Sequence, residues 1–205
     1  MTDPLVHPGW PARLTAGPVQ LQPLRRSDAR EWTRLRQANE EWLAPWEPTA
    51  ALPWRDRHTP AAFRGMRRAS LRRARSGVSV PFAIRVDGHL AGQVTVDNIV
   101  RGALRSGHLG YWVDRSVAGR GLATLAVALV CDHAFGSVGL HRLQADIRPE
   151  NIRSQRLVER LGFRREGLLR RYLDIDGDWR DHLSYALVVE DVPGGLLARW
   201  RAGTS

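Results

Sequence analysis

Apolar and polar positions follow two rhythms along the chain. From Val80 to Asp114 they alternate, in "VPFAIRVDGHLAGQVTVDNI" and then "SGHLGYWVD". A period of two sends successive side chains to opposite faces of a strand. Asp87-Gly88 is a two-residue hairpin signal, and residues 102–107 hold the next turn. The pattern predicts a three-stranded antiparallel meander ending near Asp114. The rhythm then changes. Leu122 to Phe135 is a run of good helix formers, closed by Gly136 and Gly139. "HRLQADIR" alternates again, with Leu143, Ala145 and Ile147 on one face and Arg142, Gln144, Asp146 and Arg148 on the other. Asn151 caps a helix to about Leu161, stopped by Gly162, and a last hairpin turns at Asp176-Gly177.

The first third of the chain is less regular. Residues 1–16 carry Pro4, Pro8 and Pro11 and read as irregular. Val19 to Leu24 alternates, and Pro23 makes it an edge strand. Ser27-Asp28 starts a helix to about Ala38, with Asp28 as N-cap, Glu31 as its acidic partner, and Trp32 and Leu35 facing the core. Residues 39–59 form a long loop in which Trp42, Trp46 and Trp54 are interleaved with prolines. Such a loop is a binding wall or a packed cover. Pro60 to Ser76 is a second helix, and residues from Glu190 onward are a tail. The run of strands, a crossover helix and another strand implies one parallel pair in an otherwise antiparallel sheet. The fold class is therefore mixed α/β, with helices on the faces of one sheet.

Composition narrows the setting. With 205 residues, 43% of them hydrophobic, the chain suits a single globular domain. Leu122 to Cys131 is too short to cross a bilayer, and the N-terminus shows no signal-peptide pattern, so a cytoplasmic protein without membrane contact is expected. The lone Cys131 excludes an internal disulfide and reads as a small buried hydrophobe. No Cys/His cluster has zinc spacing, so no metal is expected. The net charge is +10, and all 31 basic residues are arginine. That field favours a phosphorylated cofactor, an acidic protein surface or RNA. The second helix carries Arg64, Arg67, Arg68, Arg72, Arg73 and Arg75. These make a solvated face or a contact with an acidic substrate or RNA.

Gly119-Arg120-Gly121 stands where the third meander strand hands over to a helix. Glycines permit a sharp turn and close approach of a ligand, and free N–H groups at a helix start favour phosphate. A plain turn is the alternative. The segment is neither a P-loop nor a G-x-G-x-x-G fingerprint. About thirty residues on, "RPENIRSQRLVERLGF" puts Asn151 and Ser154 on one side of a helix start.

Element order, the "VAGRGLAT" turn, Asn-x-x-Ser and Leu-Gly-Phe together resemble the GNAT superfamily of acyl-CoA-dependent N-acetyltransferases over about residues 17–190. Within it, "NEEWLAPWEP" and "YLDIDGDWRDH" resemble the ribosomal-protein alanine N-acetyltransferase (RimJ/RimL) branch. The resemblance implies a splayed, mostly antiparallel sheet of about seven strands flanked by about four helices. It also implies one domain over residues 1–205, with a flexible N-terminal extension and a C-terminal tail.

The resemblance further implies acetyl-CoA as donor. Its pyrophosphate would rest on the backbone of Ala118, Gly119, Arg120, Gly121, Leu122 and Ala123. Ser116 stands where the family often has Gln or Arg, which removes one cation. The pantetheine arm would pair with the strand around Tyr111, Trp112 and Val113, and Asn151 would hydrogen-bond it or only cap the helix. Ser154 matches the family's serine and would contact the leaving thiol. Transfer also needs a neutral amine. Asp146 is the candidate base or a surface ion-pair residue. Glu41 could bind or deprotonate the amine instead, or a water chain could serve. Trp42, Trp46, Tyr172 and His182 would line the acceptor side. The acceptor is expected to be a protein N-terminus, with possible ribosome association. A small amine, or a basic RNA-binding module with an idle acyl-CoA site, is the alternative. A monomer or a dimer fits equally.

Overall fold

The computed structural model describes residues 9–202. The chain opens with β1 (Leu14–Ala16) and β2 (Val19–Gln22). Four helices follow: α1 (Ala29–Ala38), α2 (Glu40–Leu43), α3 (Trp54–Arg57) and α4 (Pro60–Arg75). The meander is β3 (Val80–Val86), β4 (His89–Val100) and β5 (Ser106–Val113). Then come α5 (Leu122–Gly136), β6 (Arg142–Ile147), α6 (Ile152–Arg160), β7 (Arg164–Ile175), β8 (Asp178–Val188) and α7 (Leu196–Ala202). All eight strands join one sheet in the order β1-β2-β3-β4-β5-β6-β8-β7. The β5–β6 pair is parallel, as the crossover through α5 requires, and the other pairs are antiparallel. The architecture is the expected mixed α/β one, with an additional edge strand and three short helices.

Several local expectations change. β2 is not an edge. It pairs with β3 on one side and with β1 on the other, so Leu14–Ala16 is ordered strand. Pro23 lies just past the last paired residue, Gln22, and so interrupts no ladder. Asp28 does precede α1, but its side chain makes no cap hydrogen bond to the helix. Its Oδ1 meets Arg85 Nη2 at 2.5 Å, and its Oδ2 accepts from the Arg25 amide at 2.7 Å. Glu31 accepts from the Leu90 amide instead. A buried guanidinium demands a counter-ion more strongly than a helix end demands a cap.

The tail expected from Glu190 onward is also partly helix. α5 is apolar all round and buries Leu125, Leu129 and Cys131 alike. A helix without a polar face needs cover on both sides. The sheet covers one side and α7 the other, where Leu196 is buried and the Asp132 carboxylate accepts from the Leu196 and Leu197 amides at 2.7 and 2.9 Å. Across the sheet, a smaller core holds Trp32, Leu35 and Phe63 under α1 and α4.

The sheet opens between β5 and β6. Only Ser106, Gly107 and His108 pair with Arg142, Leu143 and Gln144. Beyond them β5 stays on β4 as far as Val113, and β6 stays on β8 as far as Ile147. A wedge is left in the middle of the sheet.

Candidate active site

The wedge opens into a cavity of about 760 Å³. One wall is the turn after β5. The Asn39 amide donates to Asp114 Oδ1 at 2.8 Å, and Asn39 Oδ1 accepts from the Arg115 amide, so the turn is tied to the end of α1. Gly119 and Gly121 take φ of 77° and 75°, a region that favours glycine. Gly121 is the N-cap of α5, and the first helical bond runs from the Leu125 amide to its carbonyl. The amides of Leu122, Ala123 and Thr124 therefore have no partner inside the helix. Ala118, Gly119, Gly121, Ala123 and Thr124 line the cavity. Arg120 is exposed and Leu122 is buried, and neither side chain is part of that lining.

Four arginines that sequence reasoning passed over share the wall: Arg115, and Arg153, Arg156 and Arg160 of α6. The α6 three stand three and four residues apart, the spacing of one helix face, so this stripe was readable. Free helix amides beside four guanidinium groups fit a ligand carrying several phosphates.

The opposite wall brings the Asn-x-x-Ser segment against β5. Asn151 Oδ1 accepts from the Ser154 amide at 3.2 Å and caps α6, while the asparagine still lines the cavity. Ser154 Oγ lies 2.7 Å from the Tyr111 hydroxyl. That contact was not foreseen; alternation along β5 places Tyr111 with Leu109 and Val113, facing α5 and α6. Burial pushes the Tyr111 hydroxyl well up, so it keeps its proton. Two hydroxyls share one hydrogen bond, and one O–H remains to donate.

The tryptophan-rich segment closes the cavity. Trp42 Nε1 donates to the Val113 carbonyl at 3.0 Å, on the open edge of β5. Trp46 packs under Arg148, which also donates to the Pro45 carbonyl. Thr49 bonds to Asp174, pinning the segment to β7. Glu41 is exposed and is not part of the cavity wall; the carboxylates there are Glu47 and, just before α6, Glu150. Glu47 Oε1 pairs with Arg36 Nη2 at 2.8 Å. Arg36 is only 4% exposed and lies over the rings of Trp54 and Trp112 at 4.8 and 5.0 Å. Arg36 Nη2 also meets His58 Nε2 at 2.9 Å, and His58 Nδ1 meets the Trp54 carbonyl at 2.7 Å.

Burial, then the Arg36 charge, push His58 from 6.5 down to about 4. A neutral ring donating through Nδ1 to the carbonyl accepts the Arg36 proton through Nε2. Because the unfolded ring binds a proton first, stability conferred here is complete above about 6.5 and falls as pH drops toward 4. Urea unfolding at pH 7 and pH 4.5 should show a larger loss in the wild type than in His58→Gln. Equal losses would remove His58 from the acid response.

Asp146, Tyr172 and His182 lie outside the cavity lining and form a second polar group. His108 Nδ1 is 3.3 Å from Asp146 Oδ2, and Gln144 Nε2 donates to Asp146 Oδ1 at 3.0 Å. Burial raises the Asp146 carboxyl, but hydrogen bonds from His108, Gln144 and Ser184 outweigh it and hold the group below the usual carboxylate range. Burial and Asp146 push the Tyr172 hydroxyl up, and its ring meets His182 edge-on at 5.7 Å. By alternation, His108 and Trp112 face away from Tyr111. This group therefore borders the wedge from the other side of the sheet. Between them Gly110 is exposed, with nothing within 4 Å of where a Cβ would stand.

Among the described residues no group of His, Cys, Asp or Glu could hold a metal, and no helix is long and apolar enough to cross a membrane.

Comparison with known proteins gives consistent matches. The sequence pattern of the acetyltransferase (GNAT) domain matches residues 19–164. Mycobacterium smegmatis RimJ, solved in complex with CoA-disulfide, superposes with a TM-score of 0.94 at 43% identity, covering 97% of this chain and 98% of that one. The Escherichia coli [ribosomal protein uS5]-alanine N-acetyltransferase is 30% identical over 89% of this chain and 94% of its own length. A Bacillus subtilis protein, named as the probable N-acetyltransferase YjcK, is 41% identical over 105 residues; that match spans 51% of this chain and 58% of the relative.

Proposed function

The chain belongs to the GNAT acetyltransferase family, in the branch of the ribosomal-protein alanine N-acetyltransferases, and we propose that it moves acetyl from acetyl-CoA to a protein N-terminal α-amine. The observation that carries this reading is the wedge itself. A glycine turn with free helix amides lies at one end, an unpaired β5 edge runs along it, and a polar group stands across the sheet. Acetyl-CoA supplies the activated acyl group as a thioester.

The amides of Leu122, Ala123 and Thr124, with Arg115 and the α6 arginines, hold the pyrophosphate. The β5 edge and Asn151 orient the linear arm. Ser154, hydrogen-bonded to Tyr111, donates to the departing sulfur. Asp146, kept ionised by His108, Gln144 and Ser184, accepts the proton of the incoming amine directly or through water. Tyr172 and His182 border the acceptor's path. Holding donor and acceptor on the two sides of one gap gives the proximity that direct transfer needs.

Thiol release with acetyl-CoA and a panel of peptides and small amines tests the acceptor. Peptides beginning with Ala should be turned over best. Preference for polyamines or free amino acids would move the protein to the small-amine reading, and no turnover with any amine would reject the proposed acceptor. Ser154→Ala should lower kcat by about a hundredfold, a usual size for a lost proton donor. Its acetyl-CoA Kd should stay within threefold. Unchanged kcat would remove Ser154 from the chemistry.

A further inference from the structure

The cavity wall carries four arginines and two carboxylates, Glu47 and Glu150. Glu150, exposed and paired with Arg148, stands just before α6 and its Arg153, Arg156 and Arg160, whereas Glu47 stands apart from them in the tryptophan segment beside Trp46. A polyanionic donor suits the arginines and is repelled by a carboxylate. A cationic ligand has the opposite preference. Glu47 is also held unusually well. Its partner Arg36 is buried, stacked between the rings of Trp54 and Trp112, and fixed by His58. Trp112 is fixed in turn by Gln93, whose Oε1 accepts from Trp112 Nε1 at 3.2 Å and Trp32 Nε1 at 2.7 Å. Arg36 of α1, Trp54 of α3, His58 just after it and Trp112 of β5 thus serve the orientation of one carboxylate.

Resting on the amine-acceptor reading above, we propose that Glu47 binds the ammonium group of the acceptor and that Arg36 is its positioning residue. Arg36 takes Oε1, and the side chain, 26% exposed, faces the cavity with the rest of its acceptor capacity. Trp42, Trp46 and Trp112 line the same cavity and shield the ion pair from bulk water. The buried arginine has a second effect. A bare carboxylate would hold the ammonium in its charged form and oppose loss of the proton. Partial neutralisation by Arg36 weakens that hold, so the amine can dock through Glu47 and still give up its proton.

Steady-state kinetics on the full chain test this, with acetyl-CoA and an Ala-initiated peptide. Glu47→Gln should raise the peptide KM at least tenfold and leave the acetyl-CoA KM within twofold. Arg36→Met should raise the peptide KM to a similar degree, Arg36→Lys should recover most of it, and Glu47→Gln with Arg36→Met should be no worse than either alone. Should Arg36→Met fail to fold by circular dichroism, Glu47→Asp gives the second readout, with a peptide KM between wild type and Glu47→Gln. A peptide KM within twofold of wild type in Glu47→Gln would overturn the assignment while the acetyltransferase reading stands. Loss of turnover in the wild type itself, with every amine, would overturn the acceptor reading and this assignment with it.

Discussion

Replacing Gly121 by glutamate is expected to weaken acetyl-CoA binding by at least about a hundredfold, or about 3 kcal/mol. Three effects add at this position. The residue has φ of 75°, which costs a side-chain-bearing residue about 1 kcal/mol. A Cβ would stand 3.3 Å from Trp200 of α7, tight enough to push the ring. The new carboxylate would then sit at the N-terminus of α5, where the proposed pyrophosphate lies, and like charges at about 4 Å repel by several kcal/mol near a protein surface. Titration calorimetry with acetyl-CoA reads the effect. Gly121→Ala shares the strain and the Trp200 contact without the charge, so it should lose no more than about tenfold. Binding by Gly121→Glu within threefold of wild type would place the phosphates elsewhere.

Asp28→Ala is expected to destabilise the fold by about 3 to 5 kcal/mol, because it leaves the Arg85 guanidinium buried without a counter-ion. The two side chains are 5% and 7% exposed. Arg85 Nε already lacks a partner, and Nη1 donates only to the neutral Gly88 carbonyl at 3.2 Å. Urea denaturation should show the midpoint falling with little change in slope. Replacing both residues, Asp28→Leu with Arg85→Met, should recover much of the loss, since an apolar pair of similar volume needs no compensation. A loss below about 1 kcal/mol in Asp28→Ala would mean that Arg85 finds water.

The residues that mark the site in sequence are those whose chemistry is local. Gly119 and Gly121 show because a left-handed turn before a helix needs glycine, and Asn151 shows because a cap must stand at the helix start. The meander, the crossover and the last hairpin were legible for the same reason: alternation and Asp-Gly turns act within a few residues. Long-range partners were not legible. Asp28 reads as a cap until Arg85, fifty-seven residues away, claims its carboxylate. Tyr111 reads as a strand residue until α6 brings Ser154 against it. Glu41 and Glu47 are equivalent in the sequence of the tryptophan segment, and only the buried Arg36 distinguishes them. The α7 cover could have been inferred, because α5 offers no polar face to solvent.

The divergence of β5 from β6 gives this sheet inner margins besides its two outer ones. Unpaired strand margins are where proteins aggregate, since any passing strand can add to them. Here the margin is recessed. Trp42 bonds to the Val113 carbonyl, α6 stands across the opening, and the tryptophan segment is fastened to β7. A polypeptide strand with side chains on both faces would have to displace these covers. A slender unbranched chain with amide groups would not. The covers thus act as a filter on width, favouring a molecule that mimics one strand's hydrogen bonds over a full polypeptide strand.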